Sequence, residues 1–258
     1  MTRRRWIADE VDLPHHRAAL LGEQAAHLAR VLRARIGQEF DLVLNPEKGA
    51  KAKTPSDVRR GRIVSLNDAR VEFELGATMT LPASHDSGIQ INLLLAVFKF
   101  DRTEWAIEKA VELGVARIIP VLARRTEKHL VVAAGKRVER WARIAREAAQ
   151  QSRRNSLPEV HAPMKLKEAI QQPADVRVVL TESGLAEGCN QPTLREQLDS
   201  MEDFSTLSLA IGPEGGWSRD ELEMFIEAGW QPASLGNNIL RAETAAIAAL
   251  ALASSYQI

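Results

Sequence analysis

Hydrophobic and polar positions divide the chain into two parts with different periodicities. In the first part, short segments with alternating or β-branched residues predict strands. These predicted strands span 38–44, 59–66 and 69–75. After Ile89, nearly continuous apolar runs alternate with helical patterns, which is typical of strands buried on both faces of a parallel sheet. The main runs span 89–97, 116–122, 176–181 and 207–211, and a shorter one spans 232–236.

This change predicts two domains, a small β-rich unit over residues 1–82 and an α/β unit over 83–258. The β-rich unit is predicted to hold one helix, over 22–33, on which His27, Arg30 and Arg33 recur every three residues and so share a face. The polar segment 45–58, rich in Lys, Pro and Gly, has no periodicity and predicts a loop.

Three helices of the α/β unit are predicted from capping signals or from a polar side. Asp101 followed by Glu104 has capping-box spacing, and Gly114 can end that helix. The pattern of 135–151 predicts a helix whose polar side is rich in arginine, leading into "SRRN". Ser218 and Glu221 repeat the capping-box spacing directly after a glycine-rich turn.

Composition narrows the class of protein. The 258 residues contain 45% hydrophobic and 26% charged residues, typical of a globular protein. Cys189 is the only cysteine, so we expect no disulfide framework, no cysteine-based zinc site and a cytoplasmic location. No other metal site is expected either. No apolar run approaches the ~20 residues that cross a bilayer, and the start of the chain lacks the apolar core of a signal peptide, so no membrane association or export is expected.

Charge is balanced overall but segregated along the chain. The net charge is zero, which by itself argues against a nucleic-acid partner. However, residues 1–62 carry 13 Lys/Arg against 8 Asp/Glu, and 124–154 carry 10 against 3, whereas 182–227 carry 2 against 11. Any one of these runs can be an ordinary solvated surface. Together they favour RNA as a partner of the basic regions.

The stretch "LAIGPEGGWSRDELEMF", from Leu209, places a glycine-rich turn between a strand and a helix. Ligands bind at the carboxyl ends of strands in open α/β sheets, and glycine lets the backbone approach them closely. The turn lacks the Gly-Lys-Ser/Thr of a phosphate-binding loop and the G-x-G-x-x-G of a dinucleotide site. Glu214 favours a neutral or cationic ligand, and a tight turn without a ligand is the alternative.

A second turn, in "LGNNILRAETAAIAAL", follows about 20 residues later. If the two turns follow adjacent strands, they form two walls of one pocket. Arg241, Glu243 and Thr244 are polar residues at the start of an otherwise apolar helix. A helix cap with a local salt bridge between Arg241 and Glu243 is the alternative to a functional role.

Together, "IGPEGGWSRDELE" and "LGNNILRAETAAIAAL" resemble the paired C-terminal signature of the RsmE family of SPOUT methyltransferases. "EWAIEKAVELGVARIIPVLARRTEKH", "WARIAREAAQQSRRNSLPEV" and "HLARVLRARIGQEFDLV" are similar to further boxes of that family in the same order. The resemblance covers most of the chain. The chain departs from the family pattern in "LNPEKGAKAKTPSDVRRGRI" and at Phe100, where a glycine is usual.

The resemblance implies the fold and the reaction. It implies a PUA-like β-barrel in front of a SPOUT domain, an α/β domain with a trefoil-knotted, mostly parallel sheet and helices on both faces. It also implies S-adenosylmethionine as the cofactor, a homodimer with the active site near its interface, and 16S ribosomal RNA of the small ribosomal subunit as the substrate. The implied reaction is methylation of N3 of one uridine, U1498 of that RNA.

The candidate site residues fall into three groups. Arg154 and Arg241 are candidates for stabilising the uracil anion, and Glu243 is the candidate base. The cofactor-binding candidates are Leu180, Thr181, Glu182, Ile211, Gly212, Pro213, Glu214, Gly215, Gly216, Leu235, Gly236, Ile239, Leu240 and Thr244. The RNA-binding candidates are Arg3, Arg4, Arg5, His27, Arg30 and Arg33, with the arginine side of the 136–151 helix nearby.

Other functions remain open at this point. A SPOUT enzyme could act on another RNA or on a ribose 2′-oxygen, and a ribosome-binding module would bind no cofactor at all. An oxidoreductase with a nucleotide cofactor is disfavoured by the missing fingerprint and the acidic turn.

Overall fold

The computed structural model describes residues 4–44, 57–79, 88–182, 191–201 and 203–256. The chain forms two compact units. The first unit comprises Met1–Ser84 and Ala149–Ser156, and the second comprises His85–Ala148 and Leu157–Ile258. The predicted boundary between residues 82 and 83 lies outside the described residues, as do Arg3, Cys189 and residues 45–56 of the polar loop.

A six-stranded sheet forms the first unit. Its strands are β1 (Arg5–Ile7), β2 (Glu10–Asp12), β3 (Arg17–Leu21), β4 (Glu39–Leu44), β5 (Asp57–Leu66) and β6 (Arg70–Thr78), in the order β1-β4-β5-β6-β3-β2. Strands β1 and β4 are parallel and the other pairs are antiparallel. The sequence pattern indicated β4 to β6 but not β1 to β3, because these are short and β2 is exposed along its whole length.

The first sheet curves into a barrel-like form. The chain between β1 and β2 bonds to both sides, because Ala8 N donates to Val43 O at 3.0 Å and Asp9 N donates to Ala19 O at 2.9 Å. Trp6 is fully buried in the interior, packed among the apolar side chains that point inward from every long strand. Full burial of so large a ring is a major part of the hydrophobic stabilisation of this small unit.

The helix predicted over 22–33 is wrong in part. Helix α1 covers only Gly22–Ala26, a π-helical turn follows over His27–Val31, and Arg33 lies beyond it with φ +50°. The wider π turn and the left-handed Arg33 break the three-residue spacing. His27, Arg30 and Arg33 therefore do not share one helix face.

A parallel sheet with helices forms the second unit. Its strands are β7 (Gln90–Ala96), β8 (Arg117–Leu122), β9 (Glu159–Val160), β10 (Met164–Lys165), β11 (Val176–Leu180), β12 (Thr206–Ile211) and β13 (Gln231–Ala233). The order is β10-β8-β7-β12-β11-β13, β9 also pairs with β8, and every pair is parallel. The helices are α2 (Phe100–Glu112), α3 (Lys128–Ala134), α4 (Val138–Gln151), α5 (Leu166–Ala169), α6 (Leu194–Asp199), α7 (Arg219–Glu227) and α8 (Ala242–Ser254).

Helices cover both faces of this sheet. Alternate strand residues such as Leu94 and Ala210 form a core with the aromatic side chains of Trp217, Phe225 and Trp230, around α5 and α7. Helix α8 packs on β7, β12 and α2, on the other face. The predicted α/β class with a mostly parallel sheet is confirmed, whereas the trefoil knot stays a prediction.

The start of α2 corrects one sequence prediction. Its N-cap is Lys99, which makes no side-chain cap bond, and Asp101 lies within the first turn. The predicted capping box of Asp101 and Glu104 is therefore wrong, because the helix begins two residues earlier than an N-cap at Asp101 would require. Glu104 instead accepts hydrogen bonds from Arg140 Nε at 2.7 Å and Nη2 at 2.8 Å.

Candidate functional site

A cavity lies at the carboxyl ends of β11, β12 and β13. The residues that follow these three strand ends line it, together with residues from the first turns of α8. Thirteen of the fourteen cofactor candidates are among its lining residues: Leu180, Thr181, Glu182, Ile211, Gly212, Pro213, Glu214, Gly215, Gly216, Leu235, Gly236, Ile239 and Leu240. Thr244 is exposed and is not among the lining residues. The structure thus brings the two predicted turns to one cavity, while their ligand stays a prediction.

The arrangement of the strands differs from the expectation in one respect. The two turns do not follow adjacent strands, because β11 pairs with both β12 and β13 and lies between them. Residues 180–182, at the end of β11, therefore form the floor between the two turns. Periodicity along the chain indicates which segments are strands but not which strands pair.

The first turn is held by a carboxylate at its far end. Ser218 and Glu221 form the predicted capping box, in which Glu221 N donates to Ser218 Oγ and Ser218 N donates to Glu221 Oε2 at 2.8 Å. The other oxygen, Glu221 Oε1, accepts a hydrogen bond at 2.7 Å from the backbone N–H of Arg124, which follows β8. Glu221 is 5% exposed. One buried carboxylate therefore joins two loops at the carboxyl edge of the sheet.

Trp217 lies at the base of the same turn and contributes to the cavity wall. Its ring packs edge-on against Phe225, with centroids 4.9 Å apart. The indole Nε1 is buried, and no acceptor among the described residues bonds to it. An unpaired buried donor costs about 1–3 kcal/mol, so this N–H is a group that a bound ligand could satisfy.

Arg102, at the start of α2, links the two turns from behind. Its Nη1 lies 2.9 Å from Glu214 Oε1 and 3.6 Å from Glu243 Oε1. Glu243 is 7% exposed, and its Oε2 has no hydrogen-bond partner among the described residues. Sequence reasoning missed Arg102, because the two partners lie more than a hundred residues further along the chain and no local pattern connects them.

The alternative of a salt bridge between Arg241 and Glu243 is not what the structure shows. Arg241 is the exposed N-cap of α8, without a side-chain cap bond and without an ion pair to any described residue. Glu243 points instead toward Arg102. Neither Arg241 nor Glu243 is among the residues lining the cavity.

The second turn has few contacts of its own. Gly236 adopts φ +104°, where an L side chain is strained, and an added Cβ there would meet no atom within 4 Å. Ile239 is 78% exposed although it lines the cavity. A large apolar side chain left open at a cavity edge gains most from being covered by a ligand.

In the first unit, most of the described RNA-binding candidates engage other groups of that unit. Arg4 stacks over Trp6, 5.2 Å from the ring centroid, and the His27 ring packs on the same indole at 5.8 Å. Arg30 pairs with Asp68 at 2.6 Å, but both side chains are exposed, so the pair contributes little to stability. Arg33 is exposed at the end of the π-helical turn.

Arg5 belongs to a cluster with the 149–156 segment. It donates to Arg153 O at 2.7 Å and to Asn155 Oδ1. Burial, followed by the nearby charge of Arg153, lowers the pKa of Arg5 from its ordinary value. Arg154, the first catalytic candidate, lies in the same segment and is half-buried, with its Nη2 3.5 Å from Ser156 Oγ.

The arginine side of α4 is only partly available for RNA. Arg137 lies over the Phe100 ring at 4.6 Å, and both Arg137 and Arg140 approach Glu104. Arg143 is exposed. No group of three or more His, Cys, Asp or Glu side chains within the described ranges is placed to hold a metal ion. In the same ranges no helix has the length and apolar character needed to cross a bilayer.

A chain with this parallel sheet and glycine-rich cavity also matches a known protein family in sequence. Residues 85–254 match the family model described as an RNA methyltransferase domain. The chain is 34% identical to ribosomal RNA small subunit methyltransferase E of Synechocystis sp. over 230 aligned residues. This alignment covers 88% of this chain and 69% of that protein. The Bacillus subtilis protein of the same name is 32% identical over 244 residues, 93% of this chain and 90% of its own.

Solved structures of similar proteins superpose on this chain over nearly its whole length. Ribosomal RNA small subunit methyltransferase E from Neisseria gonorrhoeae, solved bound to S-adenosylmethionine, superposes with a TM-score of 0.76 at 26% identity and covers 98% of this chain and 97% of its own. A Legionella pneumophila protein solved in complex with S-adenosylmethionine gives a TM-score of 0.81 at 26% identity, covering 99% and 98%. The chain belongs to the family of ribosomal RNA small subunit methyltransferase E, within the RNA methyltransferases.

Proposed function

We propose that this protein uses S-adenosylmethionine to methylate N3 of one uridine in 16S ribosomal RNA, U1498. One observation carries the proposal: in a chain of this family, three consecutive strand ends of the sheet converge on a single cavity with glycine-rich walls. The family membership supplies the class of reaction. The cavity supplies a place where a methyl donor and a base can meet.

The residues of the cavity fit S-adenosylmethionine. Leu180, Ile211, Leu235 and Leu240 offer apolar surface for an adenine ring, and the orphaned Trp217 Nε1–H can donate to an acceptor of the ligand. Glu182 and Glu214 suit the sulfonium and ammonium charges of this cofactor and would repel a phosphate. The same carboxylates make a nucleotide polyphosphate a poor occupant.

Bound in this cavity, S-adenosylmethionine supplies an activated methyl group on sulfur. The remaining difficulty is N3 of uracil, which holds a proton at neutral pH. That proton must leave before or as the methyl group arrives, and negative charge then develops on the uracil oxygens. An arginine beside O2 or O4 stabilises this charge, and a carboxylate accepts the proton.

We assign these roles as follows. Arg241, exposed at the start of α8, and Arg154 are the proposed anion-stabilising groups. Glu243 is the proposed base, and the unpaired Oε2 of this buried carboxylate is the atom that can take the proton. Its other oxygen, facing Arg102, keeps the carboxylate oriented.

We propose that a set of basic residues in the first unit and the exposed part of the arginine side of α4 bind the phosphates of the RNA. The residues of the first unit are Arg3, Arg4, Arg5, His27, Arg30 and Arg33. Such contacts release counterions, so we expect the affinity for RNA to fall steeply with salt. We further propose a homodimer in the cytoplasm, with the small ribosomal subunit or its RNA as the partner.

The decisive test is the product of the reaction. Purified protein is incubated with S-adenosylmethionine and 16S ribosomal RNA or small subunits from a strain lacking the enzyme, and the RNA is digested to nucleosides for mass spectrometry. A single N3-methyluridine per RNA molecule is expected. A 2′-O-methylated nucleoside, or methylation of transfer RNA but not of 16S ribosomal RNA in a parallel reaction, would replace the proposed substrate. Absence of both methylation and cofactor binding would indicate a ribosome-binding module.

Two variants test the residue roles. Arg154→Ala is expected to lower turnover about a hundredfold or more with unchanged cofactor affinity, as for removal of a group that stabilises charge in the transition state. Unchanged turnover would remove Arg154 from the mechanism. Glu243→Gln is expected to abolish the acidic limb of the pH–rate profile, and a wild-type profile would show that Glu243 only holds Arg102.

A further inference from the structure

The described charged residues that line the cavity are two carboxylates and one arginine. Of the described residues that line it, three are ionisable, Arg125, Glu182 and Glu214, so Arg125 is the one cation in that set. The proposed cofactor carries three charges, a sulfonium, an ammonium and a carboxylate. Glu182 and Glu214, of which Glu214 is already paired with Arg102, suit the cationic groups, and Arg125 has the charge that the third group requires.

Arg125 is held in place from both sides along the backbone. It follows β8, and the preceding residue, Arg124, donates its backbone N–H to buried Glu221. On the other side, the buried Thr126 hydroxyl donates to Val97 O at 2.9 Å. The position of the Arg125 Cα is therefore fixed relative to the sheet, which is the condition for a side chain to act as a pre-organised ligand.

The Arg125 side chain lies across the glycine-rich turn. Its Nη1 donates to the carbonyl oxygen of Gly215, and its Cδ would be 3.4 Å from a Cβ added at Gly215. The aliphatic part of the Arg125 side chain therefore packs against the backbone of Gly215, where a side chain would leave less room. This contact holds the exposed guanidinium beside the turn, and Arg125 is among the residues that line the cavity.

Most of the hydrogen-bonding capacity of Arg125 remains unused. A guanidinium has five N–H donors, and Gly215 O accepts from one nitrogen. No carboxylate in the described part of the chain lies within ion-pair distance of Arg125. Neighbouring arginines differ, since Arg124 pairs with Asp220 and Arg102 with Glu214.

From this we infer that Arg125 binds the carboxylate of the amino-acid portion of the cofactor, through the N–H groups that Gly215 leaves unused. The inference rests on the proposed function, because it assumes S-adenosylmethionine as the ligand. It adds a cofactor-binding residue that lies outside the two glycine-rich turns, and it gives the anionic group of the ligand a cationic partner in the cavity wall.

Binding measurements with two ligands test this role separately from catalysis. Isothermal titration calorimetry compares S-adenosylmethionine with its decarboxylated analogue, which keeps the adenosine, sulfonium and amine and lacks only the carboxylate. For Arg125→Gln, the affinity for S-adenosylmethionine should fall roughly ten- to a hundredfold, the range for a charge-assisted hydrogen bond. The affinity for the decarboxylated analogue should change by less than about threefold.

Two controls accompany this comparison. Arg124→Gln removes the neighbouring cation, which pairs with Asp220 and is not among the lining residues, and should leave both affinities near the wild-type values. Arg125→Lys keeps the charge without the planar fork and should give an intermediate loss. Thermal melting of each unliganded variant checks that the turn remains folded.

The outcomes separate a failure of the proposed function from a failure of the role assigned to Arg125. If the wild type binds neither ligand, the proposed function is wrong. If Arg125→Gln weakens both ligands equally, Arg125 acts by supporting the turn, and the inference is overturned. It is overturned as well if both affinities are unchanged, because Arg125 would then make no contact with the cofactor.

Discussion

The two turns that enclose the cavity are built in different ways. The turn after β12 is tied down by the buried capping box of Ser218 and Glu221, by Arg102 on Glu214 and by Arg125 on Gly215. The turn after β13 leads into α8 without a side-chain cap and leaves Ile239 78% exposed. The first turn thus has several side-chain anchors, whereas the second leaves more apolar surface exposed at the cavity edge.

We expect the two turns to have different roles in ligand binding. A pre-formed wall lowers the entropic cost of binding, because its groups need no further ordering. A wall with few contacts of its own can close over a ligand and then admit a second molecule beside it. A group-transfer enzyme that must hold a cofactor and a large RNA needs both properties.

The largest expected effect comes from removing the anchor of the first turn. Glu221→Ala leaves the N–H groups of Ser218 and Arg124 without their acceptor, which should lower the free energy of unfolding by about 2–4 kcal/mol. In a protein of this size that corresponds to a melting temperature lower by about 4–16 °C. Differential scanning calorimetry without ligand measures it.

Helix α6 offers a matched control for that substitution. Thr193 and Glu196 form the same capping box on an exposed surface, and the bonds to the Thr193 backbone and hydroxyl lower the pKa of Glu196. Glu196→Ala should lower the melting temperature much less than Glu221→Ala does, because water can replace an exposed capping carboxylate. Equal losses at the two sites would show that the first turn is no better anchored than an ordinary helix start.

The next effect compares one glycine from each turn. Gly216 has φ +67°, within the left-handed helical region, whereas Gly236 at φ +104° lies outside it. Gly236→Ala should cost about 2–3 kcal/mol and Gly216→Ala about 1 kcal/mol, because an L residue tolerates the left-handed helical region better. Urea unfolding of the two variants measures the difference. The opposite ranking would mean that the second turn relaxes freely, which would sharpen the contrast in rigidity.

A smaller effect is expected at the open edge of the second turn. Ile239→Ala should leave the melting temperature unchanged and weaken cofactor binding about fivefold, since roughly 1 kcal/mol of apolar burial is lost only in the complex. Val132→Ala, at a side chain that is 81% exposed on α3 and is not among the lining residues, is the control and should leave affinity unchanged. A loss of stability without a loss of affinity in Ile239→Ala would contradict the proposed closing of this wall.

The smallest effect is expected at the opposite edge of the same strands. The Asp175 carboxylate accepts hydrogen bonds from Ser205 N at 3.0 Å, Ser205 Oγ at 2.8 Å and Thr206 N at 2.9 Å, and these bonds, led by those of the Ser205 side chain, lower its pKa from 3.8 to about 2. Asp175→Asn should lower the melting temperature at pH 7 by about 2–4 °C and leave cofactor affinity unchanged.

The sign of the pH dependence follows from the lowered pKa. The folded state holds the Asp175 carboxylate ionised below the pH at which the unfolded chain protonates it, so its contribution is complete above about pH 4 and declines toward pH 2. The difference between Asp175→Asn and the wild type should therefore shrink over that window, as followed by urea unfolding at several pH values. A difference that is constant across the window would exclude the carboxylate as its source.

The sequence predicted the second unit better than the first. Buried parallel strands are nearly continuous apolar runs, so β7, β8, β11 and β12 were recognisable from pattern alone. In the first unit, β1 and β2 have three residues each, too few to show a period. The break of the predicted helix into α1 and a π turn was equally invisible, because a one-residue change in helical pitch has no clear compositional signal.

For the site, sequence determined which segments matter and tertiary structure determined how they act together. The glycine-rich turns and the Ser218–Glu221 cap could be named from chemistry that is local in the chain, and the thirteen cavity residues from those turns together with the family resemblance. Arg102, Arg125 and the insertion of β11 between β12 and β13 could not, because they depend on which strands pair and on contacts across roughly a hundred residues. Periodicity and turn chemistry act over a few residues, whereas the charge balance of a cavity is set only when distant strand ends are brought together by the packed sheet.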